Sequence, residues 1–200
     1  MNTLSQQILD RIQAKGKGAV FSNGDFLDLG TRAAVGQTLS RLARRGTIRR
    51  IRHGLYDYPR ESREFGVLSP NLEEVARTLA NRSGGKLLAS GAQAANLLGL
   101  SNQVPAKILY YTDGSDKRIR IGRQTIEFRH AGPRRMAGAG KISGFVIQAL
   151  RYMGKDHVGD DIVQRLQSIL SDDDRKILRQ DISIAPDWLR PVITQIAGTG

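Results

Sequence analysis

The fold is decided by the stretch "SRLARRGTIRRIRHGLYDYP", residues 40–59. It carries six arginines, Arg41, Arg44, Arg45, Arg49, Arg50 and Arg52, with His53 beside them. Crowding like charges is unfavourable unless they fan out into solvent or meet a polyanion. The end of the same stretch, Leu55, Tyr56 and Tyr58, has the composition of a strand. Gly46 separates the two halves and suits the stop of a helix. His53-Gly54 then offers a tight turn with alternating residues on either side, the pattern of a β-hairpin.

Upstream of this stretch, Thr31 opens a helix that runs to Arg45. At about 100° per residue, Val35, Leu39 and Leu42 fall within about 60° of one another and form a buried stripe. The opposite face collects Ala33, Gln37, Ser40, Arg41 and Arg44. Small residues let such a helix sit deep in a groove, Gln can pair with an adenine edge, and Arg with guanine or phosphate. Further back, Leu4, Ile8, Leu9 and Ile12 predict a first helix over residues 3–14, stopped by "KGKG". "AVFS" reads as a short extended piece, and "GDFLDLG" as a short helix whose Phe26, Leu27 and Leu29 pack inward. Helix, strand, helix, helix and a two-stranded wing make a winged helix-turn-helix over residues 1–64. The predicted DNA-binding residues are Thr31, Arg32, Ala33, Gln37, Ser40, Arg41, Arg44 and Arg45 from the helix, and Arg49, Arg50, Arg52 and His53 from the wing. A solvated basic helix beside a charged hairpin is the plainer alternative.

Charge is distributed in keeping with a footprint. The 200-residue chain has a formal net charge of +12. Residues 1–64 hold twelve Lys/Arg against six Asp/Glu, and residues 117–135 hold seven against one, so the remainder is neutral. The second zone gives a secondary basic surface of Lys117, Arg118, Arg120, Arg123, Arg134 and Arg135. A turn at Gly122-Arg123 would place Ile119 against Ile126 and Arg118 opposite Glu127, so a solvated amphipathic hairpin and a nucleic-acid surface both stay open.

Residues 65–71, interrupted by Gly66 and Pro70, read as a linker. Residues 72–200 read as a mixed α/β domain: two helices, a strand "KILYYTDG", the basic hairpin and a helical last third. The expected class is therefore α+β, a winged helix-turn-helix followed by a mixed α/β C-terminal domain.

Chemistry leaves little trace. Cysteine is absent, and His53, His130 and His157 lack metal-ligand spacing, so no metal or cofactor is expected. "AGPRRMAGAGK" fails the phosphate-loop spacing, because Arg135 stands where glycine is required and Ile142 where Ser or Thr is. Ser90 lacks the G-x-S-x-G turn of a nucleophile elbow. No catalytic role is expected. The N-terminus has no signal-peptide core, and no apolar run approaches the roughly 18 residues of a membrane span, so the expectation is a soluble, cytoplasmic protein without membrane attachment.

The string "TLSRLARRGTIRRIRHGLYDYP" resembles the N-terminal winged helix of the AbiEi-type antitoxins, where an L-x-R-L-x-x-x-G-x-I-x-R-x-x-x-G-x-Y pattern joins recognition helix to wing. Leu39, Arg41, Leu42, Gly46, Ile48, Arg50, Gly54 and Tyr56 occupy those positions. "GKLLASGAQAANLLGL", residues 85–100, is similar to the start of the second domain in that family. The resemblance implies a type IV antitoxin that represses its own operon through its N-terminal domain. It also implies operator DNA with inverted repeats and a nucleotidyltransferase-like toxin encoded nearby as partners. A winged-helix regulator with a partner- or ligand-sensing C-terminal domain and no toxin, and an RNA-binding protein, are the alternatives.

Overall fold

The structure is a computed structural model that describes residues 3–103 and 107–198. The chain divides into two compact units, residues 1–84 with 121–123, and residues 85–120 with 124–200.

In the first unit, α1 (Leu4–Lys15) is capped by Thr3, whose Oγ1 accepts the Gln6 amide at 3.3 Å, and buries Ile8 and Ile12. β1 (Val20–Ser22) leads into a 3₁₀ turn, Asn23–Phe26, where a longer helix was expected. The Asp25 carboxylate accepts from the Ser22 amide and hydroxyl at 2.8 and 2.9 Å and closes this turn. Phe26 is fully buried there, whereas Leu27 remains 40% exposed instead of packing inward. Then follow α2 (Arg32–Arg44), β2 (Arg49–Arg52) and β3 (Leu55–Asp57). The three strands form an antiparallel sheet in the order β1-β3-β2, the topology of a winged helix. Ile8, Ile12, Phe21, Phe26, Val35, Leu39, Leu42, Ile48 and Tyr56 make one core beneath it. Phe21 meets Phe26 edge-on at 5.6 Å between ring centres, so a single aromatic ties the sheet to the turn.

The expected linker is only partly irregular. Within it, β5 (Gly66–Val67) pairs with β4 (Glu61–Ser62) just upstream, and Gly66 takes a φ of +64°. The helix that follows, α3 (Leu72–Arg82), was placed with the C-terminal domain by its position in sequence, but it folds with the first unit. Its buried Val75, Ala76 and Ala80 supply the apolar face, and the Thr78 hydroxyl reaches the Val20 carbonyl at 3.4 Å. The boundary therefore falls at Gly84, after α3, and not at residues 65–71.

The second unit holds β6 (Leu87–Ala89), α4 (Gly91–Leu97), β7 (Ile108–Thr112), β8 (Lys117–Ile121) and β9 (Gln124–His130). Then come α5 (Pro133–Met136), α6 (Ile142–Met153), α7 (Asp160–Ile169), α8 (Asp172–Gln180) and α9 (Arg190–Ala197). Its sheet runs β6-β7-β9-β8, with β6 antiparallel and β9 parallel to β7. The class is α+β. Val146, Leu150, Leu166, Leu178, Leu189, Ile193 and Ile196 form the main core between the helices. As the acidic run Asp172–Asp174 suggests, α8 starts with a capping box in which Ser171 and Asp174 satisfy each other's backbone amides. Asp181 accepts from Ser143 at 2.6 Å and from Lys141 at 3.0 Å, joining the end of α8 to the start of α6. Burial works to raise the Asp181 carboxyl, but these two donors and the lysine charge outweigh it and hold its pKa below the ordinary carboxylate value.

Close approach in this unit depends on glycine. A Cβ on Gly91 would lie 2.7 Å from the Gln148 carbonyl oxygen of α6. One on Gly144 would overlap the carbonyl of Gly138, which is backbone and cannot swing away. Gly144→Ala is predicted to destabilise the fold by roughly 1–3 kcal/mol through overpacking, read by chemical denaturation. Gly114→Ala, whose added carbon would make ordinary contact with Thr112 at 3.5 Å, should be near neutral. Equal stabilities for the two variants would refute the close-packing account.

Candidate nucleic-acid interface

Both ends of α2 are fixed by local chemistry. The Thr31 hydroxyl accepts the Ala34 amide at 3.3 Å. At the far end the Gly46 amide donates to Ala43 and the Thr47 amide to Leu42, a Schellman pair that requires the φ of +75° found at Gly46. Val35, Thr38, Leu39 and Leu42 are buried, which turns Ala33, Gln37, Arg41 and Arg44 to the surface and leaves Ser40 half-buried. Thr31, Arg32 and Arg45 are exposed as well. Arg41 donates to the Thr38 hydroxyl at 3.2 Å, which steadies its base without neutralising it.

The wing is a short hairpin turned at Gly54, φ +68°, and anchored by Leu55 and Tyr56 in the core. Arg50, Arg52 and His53 are exposed. Arg49 is different. Its Nε and Nη2 grip the Asp57 carboxylate at 3.0 and 2.5 Å, and Asp57 is 1% exposed. Arg49, expected among the DNA-binding cations, thus has its charge matched by a buried carboxylate.

The reason lies in register. An even hairpin around His53-Gly54 would set Arg50 opposite Asp57. The strands instead pair Arg52 with Leu55, Arg50 with Tyr56 and Arg49 with Asp57, so the ladder slips between Arg50 and Arg52. The additional residue, Ile51, moves Arg49 into the pairing position and leaves Arg50 in solvent.

Ion pairs elsewhere in this unit sharpen the contrast. Arg11 binds Asp28 at 2.7 Å, and Arg77 binds Glu73 at 2.8 Å. Arg32, Arg44, Arg45, Arg50 and Arg52 have no acidic partner among the described residues. The exposed side of α2 and the wing thus carry a run of unneutralised arginines close in sequence and structure, while Lys15, Lys17, Arg60, Arg63 and Arg82 are cations elsewhere in the unit without an acidic partner among the described residues.

Two concavities adjoin this surface. A shallow groove of about 390 Å³ brings Thr3 and Ser5 at the start of α1 beside Gln37, Arg41 and Arg45. A larger cleft of about 700 Å³ is walled by Asn23 and Asp25, Arg32, His53, and Asn81 and Arg82 of α3. Thr3, Ser5, Asn81 and Arg82 were not legible as site residues, because only tertiary packing brings them to the helix and wing.

The secondary basic surface is partly consumed internally. Arg118 pairs with Glu127 at 2.9 Å, as the hairpin register suggested, and Arg129 approaches the same carboxylate at 3.5 Å. Arg135 donates to the Tyr111 hydroxyl at 2.6 Å, with its guanidinium 3.9 Å above that ring. Lys117, Arg120, Arg123 and Arg134 are exposed. Among the described residues no group of metal-binding side chains converges, and no helix is long and apolar enough to cross a membrane.

Residues 7–178 match a family of unknown function, DUF6088. No curated protein matches the chain. Among solved structures it is similar to the RV2827C protein from Mycobacterium tuberculosis, at 14% identity and a TM-score of 0.42, over 98% of this chain and 77% of that one.

The Arg49–Asp57 pair yields a direct test. Arg49→Ala should cost about 3 kcal/mol of stability by leaving the buried carboxylate without a partner, and Arg49→Ala with Asp57→Ala should recover much of it. Were the single variant as stable as wild type, the pair would not hold the wing.

Proposed function

The chain belongs to the DUF6088 family, whose function is unknown, and we propose from its own geometry that it binds duplex DNA as a transcriptional autorepressor. The observation that carries this reading is the sorting of charge. Arg11, Arg49 and Arg77 are matched by carboxylates, while Arg32, Arg41, Arg44 and Arg45 of α2 and Arg50 and Arg52 of the wing have none among the described residues. Leaving one face unneutralised is unfavourable in isolation and becomes favourable beside phosphates, whose counterions are released on binding. In this reading α2 lies in the major groove. Gln37 and Arg44 read base edges, and Arg50 and Arg52 hold the flanking phosphates.

The resemblance of residues 39–56 and 85–100 to AbiEi-type antitoxins supports a second role, neutralising a nucleotidyltransferase-like toxin from a neighbouring gene. No catalytic activity is assigned, and a cytoplasmic location follows from a DNA ligand. A toxin-like reading frame beside this gene is the expected result of sequencing its neighbourhood. An unrelated neighbour would instead favour a regulator without a toxin.

Affinity for duplex DNA should fall steeply with salt, with a slope of log K against log salt of about −4 to −5 for four to six phosphate contacts. A flat response, or preference for structured RNA in competition, would remove the electrostatic footprint on DNA.

Readout should separate from positioning. On an operator selected from a random duplex pool, Gln37→Ala or Arg44→Ala is expected to cost about 1–3 kcal/mol, with little loss on unselected DNA. Arg50→Ala or Arg52→Ala should weaken both ligands alike, since phosphate contacts carry no sequence information. Identical behaviour of helix and wing variants would refute the assignment of readout to α2.

A further inference from the structure

We propose that the cleft beside the wing tip seats a backbone phosphate of the bound duplex, held by Arg82 of α3 with Arg32 and His53. The proposal rests on the DNA reading above and extends the footprint to a helix that the sequence assigns to another domain.

Three elements deliver these groups: the first turn of α2, the tip of the hairpin and the last turn of α3. Arg32 occupies the first helical position of α2, and no acidic residue stands in that turn. A cation at a helix N-terminus opposes the macrodipole, so this placement is locally unfavourable and is relieved by an external anion. The Arg32 side chain makes no hydrogen bond or ion pair among the described residues. Arg82 is exposed, and its polar contact among them is with the Gly54 carbonyl, at 3.5 Å. That long contact aims the guanidinium along the wing tip but occupies one of five donors, leaving a planar fork suited to phosphate oxygens.

The acidic content of the wall does not cancel this field. Asp25 is the one carboxylate among the described lining residues, and its Oδ2 is already held by the Ser22 amide and hydroxyl. Asn81, one residue before Arg82, adds a neutral donor at the rim. Two arginines beside a single carboxylate that is already hydrogen-bonded suit a phosphate. The cleft lies beside the exposed Arg52, so a strand passing the wing would bring a phosphate to it without leaving the footprint.

Phosphate can come from the DNA backbone or from a free phosphate-bearing ligand, since about 700 Å³ would also hold a small molecule. The test uses the full chain with a duplex of fixed length. Arg82→Gln and Arg82→Lys are compared with wild type across a salt series, with thermal unfolding as the control for folding. The expected result is a slope shallower by about 1 for Arg82→Gln and near wild type for Arg82→Lys, with affinity reduced several-fold only in the former. Arg32→Gln combined with Arg82→Gln should lower the slope by about 2. An unchanged slope in Arg82→Gln overturns the proposal, whether affinity is unchanged or falls through a loosened wing.

A second measurement separates the sources. If millimolar inorganic phosphate raises the melting temperature of wild type but not of Arg82→Gln, while both bind DNA with one slope, the cleft belongs to a free phosphate ligand and the DNA assignment fails. Wild type that binds no duplex DNA sinks the parent reading and this one together. Wild type that binds with a steep slope insensitive to Arg82 sinks this one alone.

Discussion

The N-terminal unit depends on burying β3. Leu55, Tyr56 and Asp57 are all removed from solvent, with β1 on one side and β2 on the other. Leu55 and Tyr56 are ordinary core residues, but Asp57 is not: an ionised carboxylate in that position would cost several kcal/mol without compensation. The bidentate grip of Arg49 supplies it. Because β1 and β2 both register on this strand, its position sets the base of the wing and the roof over Phe21, Phe26 and the buried stripe of α2. Once that stripe is committed inward, helical geometry turns Ala33, Gln37, Arg41 and Arg44 outward.

Charge in this unit divides into paired and unpaired cations. Surface pairs such as Arg11–Asp28 and Arg77–Glu73 add little stability individually, yet they remove cations from the field of the molecule. Six of the arginines without an acidic partner among the described residues, Arg32, Arg41, Arg44, Arg45, Arg50 and Arg52, sit on α2 and the wing. Arg41 and Arg44 lie toward the C-terminal end of α2, where the macrodipole favours them, so part of their mutual repulsion is offset locally. Arg32, at the other end, receives no such help. A position that local rules disfavour, on a face that tertiary structure leaves open, is the kind of place the proposed DNA binding would account for.

Much of this was legible because it was short-range. The spacing of Val35, Leu39 and Leu42 gave the inward face of α2, Gly46 marked its stop, and alternation around Gly122 paired Arg118 with Glu127. What failed needed information that periodicity does not carry. The bulge at Ile51 decides whether Arg49 or Arg50 meets Asp57, and both are arginines within one hairpin. The two-residue strands β4 and β5 are too short to show any alternation. The amphipathic pattern of α3 announced a helix with one buried face but not which core it would cover. Its length and position fitted either unit, and only packing on β1 settles the matter. With α3 misplaced, Asn81 and Arg82 could not be read as neighbours of the wing.

An isolated two-stranded hairpin is marginal in water, and this one has only a few paired residues. It is instead held at both ends. Arg49 clamps its root to Asp57, and Arg82 approaches the Gly54 carbonyl at its tip. A wing ordered in this way loses its backbone freedom on folding, so its arginines are already placed before any partner of the kind proposed would arrive. The same bracing explains why α3 has to fold with the first unit. Detached from β1, it would leave the tip to fray, and the cations of the wing would again be a flexible run of charge and not a fixed surface.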